Sequence, residues 1–178
     1  HYRPGMFDVK AGEREQVYEN VCKKMQKNFP DMHFYLGCEY FAHNYMMANL
    51  RDQRCRMAGT QVILQEFSTV SHFKYIQNVV SRIMKVGHRP IIAHVERYQC
   101  LYKNAERIQL LKEMGAMIQI NAGSVLGKGG MSKKRFCYRL LEENIVDFVA
   151  SDAHNLDKRP VNLEDCMEKI EKKFGAEK

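Results

Sequence analysis

The sequence predicts an α/β protein organised around a parallel sheet, with a barrel as its natural form. Three observations carry this expectation. Helical and strand periodicities alternate along the chain instead of grouping into blocks. The strand segments are short and apolar at most positions, as in sheets covered on both faces. No internal repeat, low-complexity tract or Pro/Ser-rich linker divides the 178 residues, 45% of them hydrophobic, so residues 1–178 read as a single domain.

Each element follows from local pattern. From Glu13 to Phe29 the residues Val17, Val21, Met25 and Phe29 recur every fourth position, the stripe of an amphipathic helix expected to face the core. Met32 to Leu36 reads as a short strand ending at Gly37-Cys38-Glu39, and Gln61 to Phe67 as the next. A helix follows in which Phe73, Ile76, Val80 and Ile83 share one face and Gly87 supplies the stop. Pro90 to Ala93 is a buried-strand signal ending at His94. Asn104 can cap a helix running through Met114, with Ile108 and Leu111 inward and Gly115 at its end. Met117 to Ile120 is the next strand, Ser132 to Asn144 the next helix and Val146 to Ala150 the last strand. Leu163, Met167, Ile170 and Phe174 make the final helical stripe.

Composition excludes several classes. Lys+Arg 28 against Asp+Glu 21 gives a net charge of +7, which suits an anionic partner but equally a solvated surface. No apolar run approaches the roughly 20 residues of a membrane helix, and no signal-peptide pattern opens the chain, so a cytoplasmic protein without membrane insertion is expected. Six cysteines (Cys22, Cys38, Cys55, Cys100, Cys137 and Cys166) lack CxxC spacing and read as reduced, mostly buried thiols. The run Lys133, Lys134 and Arg135 reads as a solvated helix face, and without interleaved aromatics no nucleic-acid platform is expected.

The ionisable residues fall where chemistry is built in a parallel barrel. Glu39, Glu66, His94, Asp152 and His154 each end or follow a strand pattern, and strand C-termini open on one face, so these side chains should converge. A lone strand-end glutamate is usually solvated. The Asp152 and His154 pair in VASDAHN is stronger, because an i, i+2 pair just past a buried strand can aim both side chains into the mouth. Mixed carboxylate and imidazole donors without cysteine fit Mn, Fe or Zn, and two neighbouring cations can share and acidify a water. Arg97 and Arg159 lie close to His94 and His154 in sequence, and a planar guanidinium fork suits a phosphate dianion. The segment NAGSVLGKGG (Asn121 to Gly130) lacks the Gly-Lys-Ser/Thr ending of a P-loop and reads as a turn with a possible substrate-side role. Neither Cys100 nor Cys137 begins a Cys-x5-Arg motif, which argues against thiol-based phosphatases.

At these residues the sequence resembles a known family. The stretches HYRPGMF, YLGCEYF, LQEFS, PIIAHVERY, NAGSVLG and SDAHNLDKRP are similar, in order, to the motifs of the PHP (polymerase and histidinol phosphatase) superfamily, and IAHVERY and SDAHN…RP resemble its capsule-type CpsB/YwqE tyrosine-protein phosphatases. The resemblance implies a distorted (β/α)7 TIM-like barrel of the PHP type. The family's opening H-x-H motif has no counterpart, so the first βα unit, on the order of 30 to 40 residues, is expected to be missing and the fragment to be weakly active or inactive. By resemblance, Glu39 would bridge two metals, Glu66 and His94 would complete the second metal's ligands, and Asp152 would bind the first. His1 and His154 would serve a third metal, and Arg97 and Arg159 would bind the phosphoryl group and stabilise the transition state. Two or three divalent ions are implied, manganese first, with iron or zinc as alternatives.

The implied activity is metal-dependent hydrolysis of protein phosphotyrosine, with the tyrosine-rich tail of a bacterial kinase controlling capsular or exopolysaccharide synthesis as partner. Two alternatives stay open at this point. One is another PHP phosphoesterase, such as a histidinol-phosphatase-like enzyme or a nuclease. The other is a non-catalytic PHP barrel acting as a binding module. The sequence does not specify an oligomeric state.

Overall fold

The computed structural model of the chain describes residues 1–6, 12–43, 46, 50 and 56–175. Phe7, the last residue of HYRPGMF, and Cys55 lie outside the described residues. Strands β1 (Glu39–Phe41), β2 (Val62–Glu66), β3 (Arg89–Ile92), β4 (Met117–Asn121) and β5 (Phe148–Ala150) form one sheet in the order β1-β2-β3-β4-β5, with every neighbouring pair parallel. Tyr2 lies along the outer edge of β1, donating its N–H to Glu39 O at 2.9 Å and accepting from Phe41 N at 2.9 Å. The helices are α1 (Glu13–Asn28), α2 (Phe73–Lys85), α3 (Ala105–Glu113), α4 (Ala122–Leu126), α5 (Met131–Glu142) and α6 (Leu163–Phe174), with a 3-10 turn at Val95–Arg97.

Strictly sequential strand order has a physical consequence. Parallel crossovers are right-handed in about 98% of cases, and successive right-handed crossovers in one direction lay their helices on the same face of a sheet. On that face Ile63, Ile92, Ile118 and Ile120 pack with Ile76, Val80 and Ile83 of α2 and with Ile108 and Leu111 of α3, all fully buried. Each such side chain contributes about 1.5–3 kcal/mol. The α3 cap is as expected, with Asn104 Oδ1 accepting from Arg107 N at 3.1 Å. The opposite face carries the registered row Glu39, Leu64, Ile91 and Met117, with Glu66, Gln119 and Asn121 two and four residues further along their strands. Here β2 alternates half-buried and buried residues, so the expectation of strands covered on both faces holds for β4 but not for β2.

Four sequence expectations need correction. Met32–Leu36 is not a strand. Its backbone is held from the side, by Tyr18 Oη donating to Phe34 O at 2.7 Å and Ala58 N donating to Leu36 O at 3.0 Å, and the ladder forms at Glu39–Phe41, where β2 and Tyr2 both offer partners. Helix α1 is present, but its stripe is not core: Val17, Val21 and Phe29 are exposed and the helix buries no residue. Strand β5 starts at Phe148, because Asp147 is used as a clamp. Its N–H donates to Ile118 O and its Oδ2 accepts from Ile118 N, each at 2.8 Å, while Lys112 Nζ donates to Oδ1 at 2.9 Å. In α6 the buried positions are Cys166 and Ile170, whereas Leu163 and Met167 face outward.

Candidate metal centre

The centre assembles where strands end. Glu66 is the last residue of β2, and Glu39 stands opposite Leu64 as the first residue of β1, not beyond its end as the sequence suggested. His94 lies two residues past β3. The apolar Pro90–Ile92 run anchors that strand, after which the chain turns sharply, with His94 in the left-handed region at φ 37, ψ 56. This buried imidazole reaches both carboxylates: Nε2 is 3.0 Å from Glu39 Oε1 and 3.8 Å from Glu66 Oε1. One donor atom from each of Glu39, Glu66 and His94 lies within 4.8 Å of the others.

The environment pushes the two carboxyls apart. Burial raises Glu39, but the hydrogen bond and charge of His94 outweigh it, so its pKa is lowered. Burial raises Glu66, and the neighbouring Glu39 charge raises it further against the opposing His94, Arg3 and Arg97. Two carboxylates sharing one imidazole form a donor set that a divalent cation fits, because the cation relieves their mutual repulsion.

A second half of the site forms around Asp152, two residues past β5. Its Oδ2 accepts from Asn121 Nδ2 at 2.8 Å, lies 3.6 Å from Arg97 Nη1 and pairs with Arg159 Nη2. His154 Nδ1 is 3.7 Å from Asp152 Oδ1, and the His154 ring stands 5.1 Å from that of His1. His1 Nδ1 is in turn 3.2 Å from Glu39 Oε2, so the two halves are continuous. Arg159 is brought back to Asp152 by a local device, in which Asn155 Oδ1 accepts from the N–H groups of Asp157, Lys158 and Arg159 at 3.2, 2.7 and 2.9 Å. This is the Asx-type folding that asparagine favours in loops. Asp152 is also left-handed, at φ 51. All eight residues singled out from the sequence, His1, Glu39, Glu66, His94, Arg97, Asp152, His154 and Arg159, thus lie in one connected cluster.

Sequence reasoning missed the supports beneath it. Tyr98 is fully buried, its ring 5.6 Å from that of His94; its hydroxyl accepts from Phe67 N at 3.2 Å, and burial holds its pKa well above the usual phenol value. Glu96, 1% exposed, accepts from Ser124 Oγ at 2.7 Å and Asn121 N at 3.2 Å, tying the turn after β3 to the start of α4 and holding Asn121 against Asp152. The signal lay in HVERY, where the acidic residue between His94 and Arg97 in so apolar a setting marks a bonded interior carboxylate. Replacing Glu96 with Ala should lower the unfolding free energy by about 1–3 kcal/mol for each buried donor left orphaned, read as a lower urea midpoint at an unchanged m-value, and Gln should recover most of the loss. An Ala variant as stable as wild type would remove Glu96 from this supporting role.

Comparison with known proteins places the chain in a family. The family model described as capsular polysaccharide synthesis, CpsB/CapC, matches residues 1–178. The tyrosine-protein phosphatase CpsB of Streptococcus agalactiae is 34% identical over 185 residues, covering 100% of this chain and 76% of that protein. The tyrosine-protein phosphatase YwqE of Bacillus subtilis is 30% identical over 178 residues, covering 99% and 70%. Among solved structures, work on YwqE from B. subtilis and CpsB from Streptococcus pneumoniae, described as unique metal-dependent tyrosine phosphatases, includes a chain that superposes with a TM-score of 0.88 at 30% identity, covering 99% of this chain and 72% of that one. The chain belongs to the CpsB/CapC family of capsular polysaccharide synthesis proteins.

Proposed function

We propose that the protein is a metal-dependent tyrosine-protein phosphatase, hydrolysing phosphotyrosine on a protein that controls capsular or exopolysaccharide synthesis. The tyrosine-rich tail of a bacterial tyrosine kinase is the partner of choice. The observation that carries this reading is the gathering of Glu39, Glu66 and His94 donor atoms within 4.8 Å, with Arg97 and Arg159 on the adjoining Asp152. Relatives that share the whole chain and carry the same activity support it. The strand order, with helices on one face, favours the PHP-type (β/α)7 TIM-like barrel, and we read residues 1–178 as one domain of that kind.

In this reading Glu39, Glu66 and His94 hold one divalent cation, and Asp152, His154 and His1 serve a second or third. Manganese is the proposed metal, with iron and zinc as competitors to be separated by elemental analysis. Bound divalent cations supply a water of lowered pKa and offset charge on the phosphoryl oxygens. The chain's own contribution is orientation and charge. Arg97 and Arg159 present planar donors to the phosphoryl oxygens, and Asn121 holds the Asp152 carboxylate in place. A cytoplasmic site of action is proposed from the free thiols Cys22, Cys38, Cys100, Cys137 and Cys166, and among the described residues no helix is long and apolar enough to cross a membrane.

The deciding experiment assays the full-length protein on a phosphotyrosine peptide, histidinol phosphate and DNA, with and without chelator. Chelator-sensitive turnover of the peptide alone is expected, and hydrolysis of histidinol phosphate or DNA in preference would overturn the substrate assignment. Thiol alkylation should leave activity intact. Burial pushes Cys166 up to about 11 and Cys137 higher still, so neither thiol is a nucleophile near neutral pH. Inactivation by iodoacetamide at a rate matching loss of one thiol would contradict a metal-based mechanism.

A further inference from the structure

Beside Asp152 and Arg159 the surface opens into a cleft of about 200 Å³, walled by the turn after α4 and by the loop that leads into α6. Gly123, Lys128, Gly129, Lys158, Arg159 and Asn162 line it. The first wall is the segment from Asn121 to Gly130, whose glycines take no part in the metal chemistry. Gly127 is left-handed at φ 96, and Lys128 N donates to Gly123 O at 2.8 Å, so the turn closes tightly and carries Lys128 to the rim. A Cβ at position 123 would lie in ordinary contact with Lys128 Cδ at 3.5 Å and Asn162 Nδ2 at 3.6 Å, which places Gly123 between the two walls of the cleft.

The charge of the cleft is unbalanced. Asp152, its acidic member, is already countered by Arg97 and Arg159, while neither Lys128 nor Lys158 forms an ion pair among the described residues. A cleft of 200 Å³ is smaller than the roughly 300–1,000 Å³ of pockets that enclose a whole small ligand, and suits one head group. We propose that this cleft is a specificity subsite for a second anionic group on the substrate chain, a carboxylate or another phosphate borne by a residue flanking the phosphotyrosine under attack. This rests on the phosphatase reading above. Lys128 and Lys158 act on selection and not on the chemical step, since the metal cluster and both arginines are complete without them.

The test compares kcat/KM of the full-length, metal-loaded protein on three phosphotyrosine peptides, whose flanking residues are neutral, glutamate, or a second phosphotyrosine. Wild type is expected to prefer both anionic peptides by roughly five- to tenfold at low salt, with the preference shrinking as ionic strength rises. Lys128→Met, Lys158→Met and their double variant keep the alkyl stems and should flatten the preference while leaving the neutral peptide unchanged. A preference for only one anionic peptide identifies the group selected. Equal rates on all three peptides, or a preference that survives the double variant, would overturn the subsite and leave the phosphatase reading standing. No turnover of any peptide would overturn both.

Discussion

Replacing His94 with alanine in the full-length, metal-loaded protein is expected to lower bound metal and phosphatase activity together, each by at least about 100-fold. Loss of an outer-shell partner already costs about 10–100-fold in metal affinity or activity, and His94 is proposed as a direct donor. Its side chain is 3% exposed and stands between Glu39 and Glu66. Without it the two carboxylates face each other directly, Glu66 is driven further towards its neutral form, and a protonated carboxyl is a poor ligand. Alanine is disfavoured in the left-handed backbone that His94 adopts, whereas asparagine tolerates it, so His94→Asn separates loss of the ring from backbone misfit. Elemental analysis is paired with kcat/KM to read the two effects separately. Full metal content with full activity would strike His94 from the ligand set, and full metal with lost activity would make it an orienting group instead.

The arginines should behave in the opposite way. Arg97→Ala and Arg159→Ala are each expected to lower kcat/KM on a phosphotyrosine peptide by at least roughly tenfold with metal content unchanged, the scale of one charge-assisted contact of about 1.5–3 kcal/mol. Lysine should rescue only in part, since an ammonium supplies charge without the bidentate fork. Both guanidinium groups rest on Asp152, which Asn121 also holds, so neither is the carboxylate's sole partner and its placement survives either change. Wild-type kinetics in both variants would end the phosphate-clamp assignment. Metal loss in either would move that arginine from the substrate to the support of Asp152.

Much of this arrangement is legible in the sequence because a few residues leave little choice. Pro90 to Ala93 is short and apolar, the signal of a buried strand, and β3 covers Arg89–Ile92, so His94 falls just past its end. Ile76, Val80 and Ile83 predict both the helix and its buried face. Local pattern fails where a partner decides the outcome. MHFYL has the stronger strand composition, yet EYF becomes β1 because Tyr2 and β2 flank it. The α1 stripe has helical period, but period does not reveal whether anything packs on it. In the candidate site Glu66, His94, Asp152 and His154 can be placed from strand ends, whereas Glu39, which begins its strand, and Glu96, Asn121 and Asn155 cannot. The work of the last three is hydrogen bonding across about 25 or 31 residues of chain, or within a single loop, and neither leaves a periodic trace.

The left-handed backbone at His94 and Asp152 sets evolution two incompatible tasks at the same positions. L-residues are strained there by about 1–2 kcal/mol, and glycine would relax both turns. Glycine would also delete the two side chains on which each half of the centre turns. Selection for thermal robustness alone would therefore favour glycine at these positions, and a library screened only for folding would be enriched in variants that lack both side chains. An imidazole and a carboxylate at the two strained turns are therefore side chains that stability alone does not call for.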